Sequence, residues 1–285
     1  GQIRIRNYAA AVNPTDVVAR NGTLAKIQKK NPPPYVPGMD AAGIVDQVGE
    51  GVTTGVKVGD RVMAMVVPKG THGAYREQIV LDQRAVVAAP AGSSHAEACT
   101  LPMNALTARM SLDLLDLEPG QVIAVTGGPG AYGGYVIQLA KADGLMVIAD
   151  AADSDRELLK ALGADIVVSR GDGFADKIRE HFPQGVDGLA DGALLNARAV
   201  DAVKDGGSFT AIRGFKGEGQ RDIKFTATWV TGYDGAYEKL DLLREQVEGG
   251  ALTLRVAGSV TPEDAGLAHQ RLEQGGTRGR MVIEF

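Results

Sequence analysis

The run Val125-Thr126-Gly127-Gly128-Pro129-Gly130-Ala131-Tyr132-Gly133-Gly134 constrains this chain more than any other. It follows Val122-Ile123-Ala124-Val125, which reads as a short buried strand. It precedes Tyr135–Ala142, which reads as a helix with Val136, Leu139 and Ala140 on one face and Gly144 as its stop. In a strand–turn–helix context the G-x-G-x-x-G spacing of Gly128, Gly130 and Gly133 points to dinucleotide binding. Glycines allow the tight turn and a close backbone approach to a pyrophosphate. The helix start adds free N–H groups and the positive end of its dipole. In a chain with 38 glycines the triplet alone would say little, so the context carries the weight. Gly127, Gly128, Gly130, Ala131, Tyr132 and Gly133 are the expected cofactor-contacting stretch.

A length of 285 residues allows one large or two ordinary domains. The content, 44% hydrophobic and 23% charged, fits a globular protein. A net charge of −5 argues against a nucleic-acid surface built on bulk charge. No apolar run approaches the length of a membrane span, and Gly1–Arg6 is not a signal peptide. The single Cys99 supplies neither an internal disulfide nor a multi-cysteine metal site. The expectation is a cytoplasmic protein with no nucleic-acid or membrane partner.

Residues 1–98 alternate short β-rich runs with Gly/Pro turns: Ile3–Arg6, Ala42–Val45, Arg61–Val66 and Gln78–Leu81. That pattern suits a compact β-barrel. From about Ser94, helix and strand signals alternate: helical patterns over His95–Ser111, Leu112–Leu117 and Ser154–Leu162, strands at Met146–Ala149, Ile166–Val168, Gly188–Ala190 and Phe209–Ile212. Repeated βα units predict a parallel sheet covered on both faces. After Leu254 the text is strand-like again, with a last helix over Ala265–Glu273 and a closing strand Met281–Ile283. The expected domains are 1–98, 99–254 and a return to the first over 255–285.

Several blocks then align with one family, in order and with similar spacing: Asn13-Pro14-Thr15-Asp16, Tyr35–Val45, Val58–Val62, Gly73–Glu77, Leu101–Ala108, the glycine turn, Leu162–Asp165, Ala268–Glu273 and Arg278–Val282. Across its whole length the chain resembles the medium-chain dehydrogenase/reductase superfamily, in particular its zinc-free quinone oxidoreductase branch. The resemblance implies an α/β protein: a GroES-like β-barrel catalytic domain, an inserted Rossmann domain with a doubly wound parallel sheet, and an active site in the cleft between them. Relatives usually carry a further β-hairpin before the segment matching Gly1–Arg6, so an incomplete copy is expected.

Zinc-dependent members place a Cys near the position of Asn13 and a His-Glu pair where this chain has Met39-Asp40. Zinc needs thiolate, imidazole or carboxylate ligands that converge. His72, His95, His181 and His269 show no ligand spacing, so no zinc is expected. Asp150 ends the second strand of the nucleotide-binding region, where an acid commonly binds ribose hydroxyls and favours NAD. The family alignment puts Ala151 at the ribose-binding position instead. It also puts Arg156 and Arg170 where NADPH-dependent relatives embrace the 2′-phosphate, a task suited to guanidinium. The alternative makes both arginines solvated surface charges. NADP(H) is therefore favoured over NAD(H).

The implied reaction is hydride transfer to a quinone or an α,β-unsaturated carbonyl compound, with negative charge developing on the acceptor oxygen. By the resemblance Asn13 lines the nicotinamide end and Thr107 contacts the nicotinamide; Asn104, at the start of the same helix as Thr107, is a further candidate cofactor contact. Each has an alternative reading as a turn or helix-cap residue. Tyr132 is a phenol inside the turn, either a cofactor contact and proton donor or a ring packed over the helix start. Arg213, after a strand's carboxyl end, is a candidate substrate or phosphate contact. An enoyl-thioester reductase and a non-catalytic NADP(H)-binding sensor or structural protein are the rival readings. The expected partners are a small-molecule acceptor and a second copy of the chain, paired through the segment Phe225–Val230.

Overall fold

The structure, a computed structural model, describes residues 1–285. Its strands are β1 (Gln2–Val12), β2 (Asp40–Val48), β3 (Arg61–Met65), β4 (Gln78–Asp82), β5 (Val86–Ala88), β6 (Val122–Thr126), β7 (Met146–Ala151), β8 (Ile166–Ser169), β9 (Val186–Asp191), β10 (Val203–Ile212), β11 (Lys224–Thr228), β12 (Val256–Val260) and β13 (Arg280–Glu284). Its helices are α1 (Pro14–Arg20), α2 (Ala25–Gln28), α3 (His95–Ala98), α4 (Pro102–Leu115), α5 (Ala131–Ala142), α6 (Arg156–Ala161), α7 (Phe174–His181), α8 (Tyr237–Glu248) and α9 (Ala265–Glu273). The chain forms two compact units, Gly1–Leu106 with Thr231–Phe285, and Thr107–Val230.

In the first unit the sheet order is β12-β13-β1-β2-β3-β5, with β4 also paired to β1. β1 is the organising strand. Its first half, Gln2–Arg6, pairs antiparallel with β4, and its second half, Ala9–Val12, pairs antiparallel with β13. Irregularities at Arg4/Ile5 and Asn7/Ala9 in its ladder with β2 bend it between those partners. Ile3 and Ile5 point inward with Val45, Val62, Ile79 and Val86 to make the core. From Ala9 to Val12 both faces are buried, so apolar residues run on without alternation. α9 lays Ala268 against Val12, Met281 and Ile283.

The second unit is an all-parallel sheet, β11-β10-β9-β6-β7-β8. Counted from β6 within the unit, this is the doubly wound order 3-2-1-4-5-6 read from the other side. Its topological switch point lies between β6 and β9. β6 shows why its sequence does not alternate: Ile123, Ala124 and Val125 are all fully buried between helical layers. β11 is an edge strand, paired in parallel to β10 over Lys224–Thr228.

Two differences from the sequence expectation have clear causes. The helical pattern over His95–Ser111 is two helices, α3 and α4, because Pro102 disfavours helical backbone at Leu101 and opens α4 itself. The units part at Leu106/Thr107 and Val230/Thr231, where the pattern suggests 98/99 and 254/255. The return comes earlier than expected because α8 packs on β5 in the first unit, a long-range contact that leaves no local signal.

Candidate functional site

The glycine turn sits at the carboxyl end of β6. Gly127 has a left-handed φ of +69°, and its carbonyl accepts from Gly130 N–H at 3.0 Å. A Cβ on Gly133 would lie 2.4 Å from Gly127 O, so this position admits only glycine. α5 starts at Gly130, which provides no side-chain cap, and a helix start of this kind suits an anionic ligand. Ala131 and Tyr132 follow in the buried first turn. The turn thus fits the pyrophosphate of a dinucleotide: its glycines let the backbone come close, and its helix end carries the matching partial charge.

Asp150 near the end of β7 is buried, and both carboxylate oxygens are engaged. Oδ1 accepts from Gly127 N–H at 2.7 Å, and Oδ2 accepts from Arg170 Nε at 3.2 Å. Arg170 is in turn fixed by its backbone N–H on Ala151 O at 2.8 Å. Arg156 donates Nη1 to Val167 O at 2.9 Å and Nε to Asp153 at 3.1 Å. The structure therefore brings Asp150, Arg170 and the turn into one hydrogen-bonded group, with Arg156 anchored on β8.

At the switch point Thr126 and Asp191 are cross-strand partners. Thr126 Oγ1 donates to Asp191 Oδ1 at 2.5 Å and accepts from Ala193 N–H at 2.9 Å. The same carboxylate accepts the N–H groups of Leu195 and Asn196 at 3.1 and 2.7 Å. This pair was not singled out from the sequence; an acid ending a buried strand opposite a threonine was the available signal. Tyr132 packs its ring on Gly192, where a Cβ would meet Cδ1 at 2.6 Å. Its hydroxyl shares a hydrogen bond of 2.7 Å with Ser111 Oγ, which continues to Thr228 Oγ1 at 2.9 Å and from there to Thr210 Oγ1 at 2.9 Å. Burial pushes the phenol well above its ordinary range. Ser111 also donates to the carbonyl of buried Thr107 at 3.0 Å. Arg213 is exposed, with φ +67°, just past β10.

In the first unit a second polar group is fully enclosed. Asn13 follows β1 in extended backbone, as a residue before proline prefers, and α1 begins at Pro14. Asn13 N–H donates to Asp16 Oδ2 at 2.8 Å, and Gly38 N–H donates to Asp16 Oδ1 at 2.8 Å. The Asn13 side chain donates Nδ2 to Asp40 Oδ2 at 2.6 Å, while its Oδ1 accepts from Asn104 Nδ2 at 3.1 Å. Asp40 Oδ1 accepts Met103 N–H at 2.7 Å, and Arg280 Nη2 donates to Asn104 Oδ1. Asn13 and Asn104 are thus brought together as expected, but inside the fold, with 0% and 1% of their surface exposed. Burial raises Asp16 to about 6 and Asp40 to about 7, against the lowering effect of their N–H donors and of Arg280. Tyr75 approaches Asp16 at 3.4 Å and His269 Nε2 at 3.1 Å. Desolvation lowers His269, and nearby Arg20 adds to that.

No three His, Cys, Asp or Glu side chains converge as a metal would require. Asp16 and Asp40 point their oxygens at N–H hydrogens, and Cys99 Sγ donates to Ala96 O at 3.2 Å. A cation among these donors would be repelled. The residues do not fit zinc.

A doubly wound parallel sheet inserted into a β-sheet unit, with a glycine turn at its first strand, is the architecture of the medium-chain dehydrogenase/reductase fold. The family model "Alcohol dehydrogenase GroES-like domain" matches residues 1–108, and "Zinc-binding dehydrogenase" matches residues 131–244. The chain belongs to the medium-chain dehydrogenase/reductase superfamily, with its GroES-like and Rossmann-like domains. It is 34% identical over 220 residues to a 2-methylene-furan-3-one reductase of Solanum lycopersicum, a match covering 75% of this chain and 55% of that protein. It is 32% identical, with the same coverage, to an Arabidopsis thaliana chloroplastic NADPH-dependent alkenal/one oxidoreductase. The chain thus spans about half the length of these curated relatives. Among solved structures, an alcohol dehydrogenase superfamily protein from Novosphingobium aromaticivorans superposes with a TM-score of 0.90 at 27% identity, covering 100% of this chain and 92% of that one. A mycobacterial protein complexed with NADPH gives 0.84 at 27% identity, with coverage of 100% and 92%. No helix is long and apolar enough to cross a membrane.

Proposed function

We propose that this chain is an NADPH-dependent reductase that transfers hydride to an α,β-unsaturated carbonyl compound or a quinone, without zinc. The observation that carries the reading is the double engagement of Asp150. A buried carboxylate already committed to the glycine-turn amide and to Arg170 is a poorer acceptor for the ribose hydroxyls of NAD(H). It holds Arg170 Nε and leaves that guanidinium's two Nη groups for a 2′-phosphate, which guanidinium binds in a bidentate manner. Arg156, anchored on the neighbouring strand, supplies a second cation. Bound NADPH would bring the hydride. The turn from Gly127 to Gly133 would hold its pyrophosphate, with Arg213 a further contact beyond β10.

Asn104 and Thr107 lie one turn apart on α4, so they share a face of that helix. We assign Thr107 to the nicotinamide end. Asn104 and Asn13 are enclosed, so neither is assigned a direct contact with the acceptor. The names of the plant relatives, an alkenal/one oxidoreductase and a furanone reductase, support an activated alkene as acceptor. We further propose a homodimer formed along the edge strand β11, next to the exposed Trp229.

The test is fluorescence titration with NADPH and NADH, followed by turnover on alkenals, enones and quinones. We expect NADPH to bind at least about tenfold more tightly, the worth of one charge-assisted hydrogen bond, and at least one acceptor class to turn over. A preference for NADH, or binding without turnover on any class, overturns the reading.

A further inference from the structure

Asp40, Asn13, Asn104 and Arg280 come from β2, the residue between β1 and α1, α4 and β13, yet their side chains form one unbroken line. Its two ends differ chemically. A guanidinium has only donors, and both Asp40 oxygens accept here, from Asn13 Nδ2 and Met103 N–H. Arg280 therefore obliges Asn104 to present Oδ1 to it and Nδ2 to Asn13. Asn13 must then present Oδ1 to Asn104 and Nδ2 to Asp40. Every donor points the same way, from Arg280 to Asp40, and neither amide can turn over without setting donor against donor.

The line also closes on the backbone. Asp40 uses its second oxygen on Met103 N–H, the residue just before Asn104. Asp40, Asn13, Asn104 and Met103 thus make a ring that grips the first turn of α4, where helix amides lack partners of their own. Thr107 stands three residues beyond Asn104 on that helix. All four side chains of the line are buried, so none reaches a bound acceptor directly.

We propose that Asp40 and Arg280 are positioning residues, whose fixed donor and acceptor ends lock the Asn13 and Asn104 amides in one orientation and so hold the first turn of α4, and Thr107 with it, in register for hydride transfer. The last part rests on the reductase reading above; the locked line does not.

Two substitutions release an end while keeping its bulk: Asp40→Asn and Arg280→Gln, whose amides can both donate and accept. Arg280→Lys keeps a donor-only end. Hydrogen exchange of the Asn13 and Asn104 side-chain amides, read by nitrogen-15 NMR, reports the lock without any turnover. Those amides are expected to be protected in the wild type and in Arg280→Lys, and exposed to exchange in Asp40→Asn and Arg280→Gln. With NADPH and an accepted alkene, kcat should fall roughly 10- to 100-fold in the two released variants, the cost of slight misplacement. The NADPH dissociation constant should stay put, and Arg280→Lys should recover most of the rate. Free exchange in the wild type, or equal behaviour of Arg280→Lys and Arg280→Gln, overturns the proposal. Protected amides in a wild type that reduces no acceptor overturn the reductase reading and leave the lock standing.

Discussion

The Asp150 carboxylate accepts the Gly127 amide at 2.7 Å, so the acid at the end of the second Rossmann strand braces the phosphate-binding turn from within. The same carboxylate orients Arg170. One side chain thereby sets both the shape of the turn and the charge beside it.

Replacing Arg170 with Ala should weaken NADPH binding roughly tenfold or more, the worth of a hydrogen bond to a charged group, and leave NADH binding nearly unchanged. Paired titrations check this. An equal loss for both cofactors would assign Arg170 to the fold instead of the phosphate.

Gly133 and Gly128 should respond differently to alanine. At Gly133 the new methyl would meet the Gly127 carbonyl at 2.4 Å, a backbone atom that cannot step aside. At Gly128 it would meet the side chains of Leu159, Ile137 and Ala149 at 3.0, 3.2 and 3.4 Å, which can yield slightly. Gly133→Ala should lower stability by about 1–3 kcal/mol and abolish cofactor binding. Gly128→Ala should retain both within modest limits. Denaturation midpoints and titrations of the two variants decide it.

Tyr132→Phe removes one hydroxyl from the line that runs through Ser111, Thr228 and Thr210. Ser111 keeps Thr107 O and Thr228 as partners, so the cost should be about 1 kcal/mol. Turnover should be preserved, because the phenol is enclosed and already bonded. A collapse of kcat with unchanged stability would make the phenol a proton donor after all.

Asp40 couples the fold to pH. Burial carries its carboxyl from 3.8 to about 7, so between those values the folded chain keeps a proton that the unfolded chain has released. Stability from this group is full below pH 3.8 and is lost as pH rises toward 7; Asp16, raised to about 6, acts in the same direction. Asp40→Asn does not titrate. Its denaturation midpoint, relative to wild type, should therefore be more favourable at pH 8 than at pH 5. The same offset at both would contradict the buried-carboxylate account.

The nucleotide-binding half was readable because its signals are local. A strand, a glycine turn and a helix follow one another within 21 residues of sequence, Val122–Ala142, and α9 occupies the predicted residues Ala265–Glu273. The polar line was not readable. Its members stand at positions 13, 40, 104 and 280, and only pairing of β1 with β2 and β13 brings three of their segments side by side. Asn13 and Asn104 could be picked out as chemistry-bearing residues, but their burial could not, since amides are common on surfaces. Asp150 shows the same limit: its place in the sequence suggested a ribose, and only the direction of its side chain reveals the turn amide.

The double partnership of β1 also bears on how the molecule is made. Ala9–Val12 wait for Met281–Glu284, nearly the whole chain away, whereas the sheet from β6 to β11 is drawn from one uninterrupted stretch. On a ribosome the nucleotide-binding unit can close while the residues before it still lack their last strand. The unit begun first is then the one finished last, and its half-built sheet is the vulnerable species during synthesis.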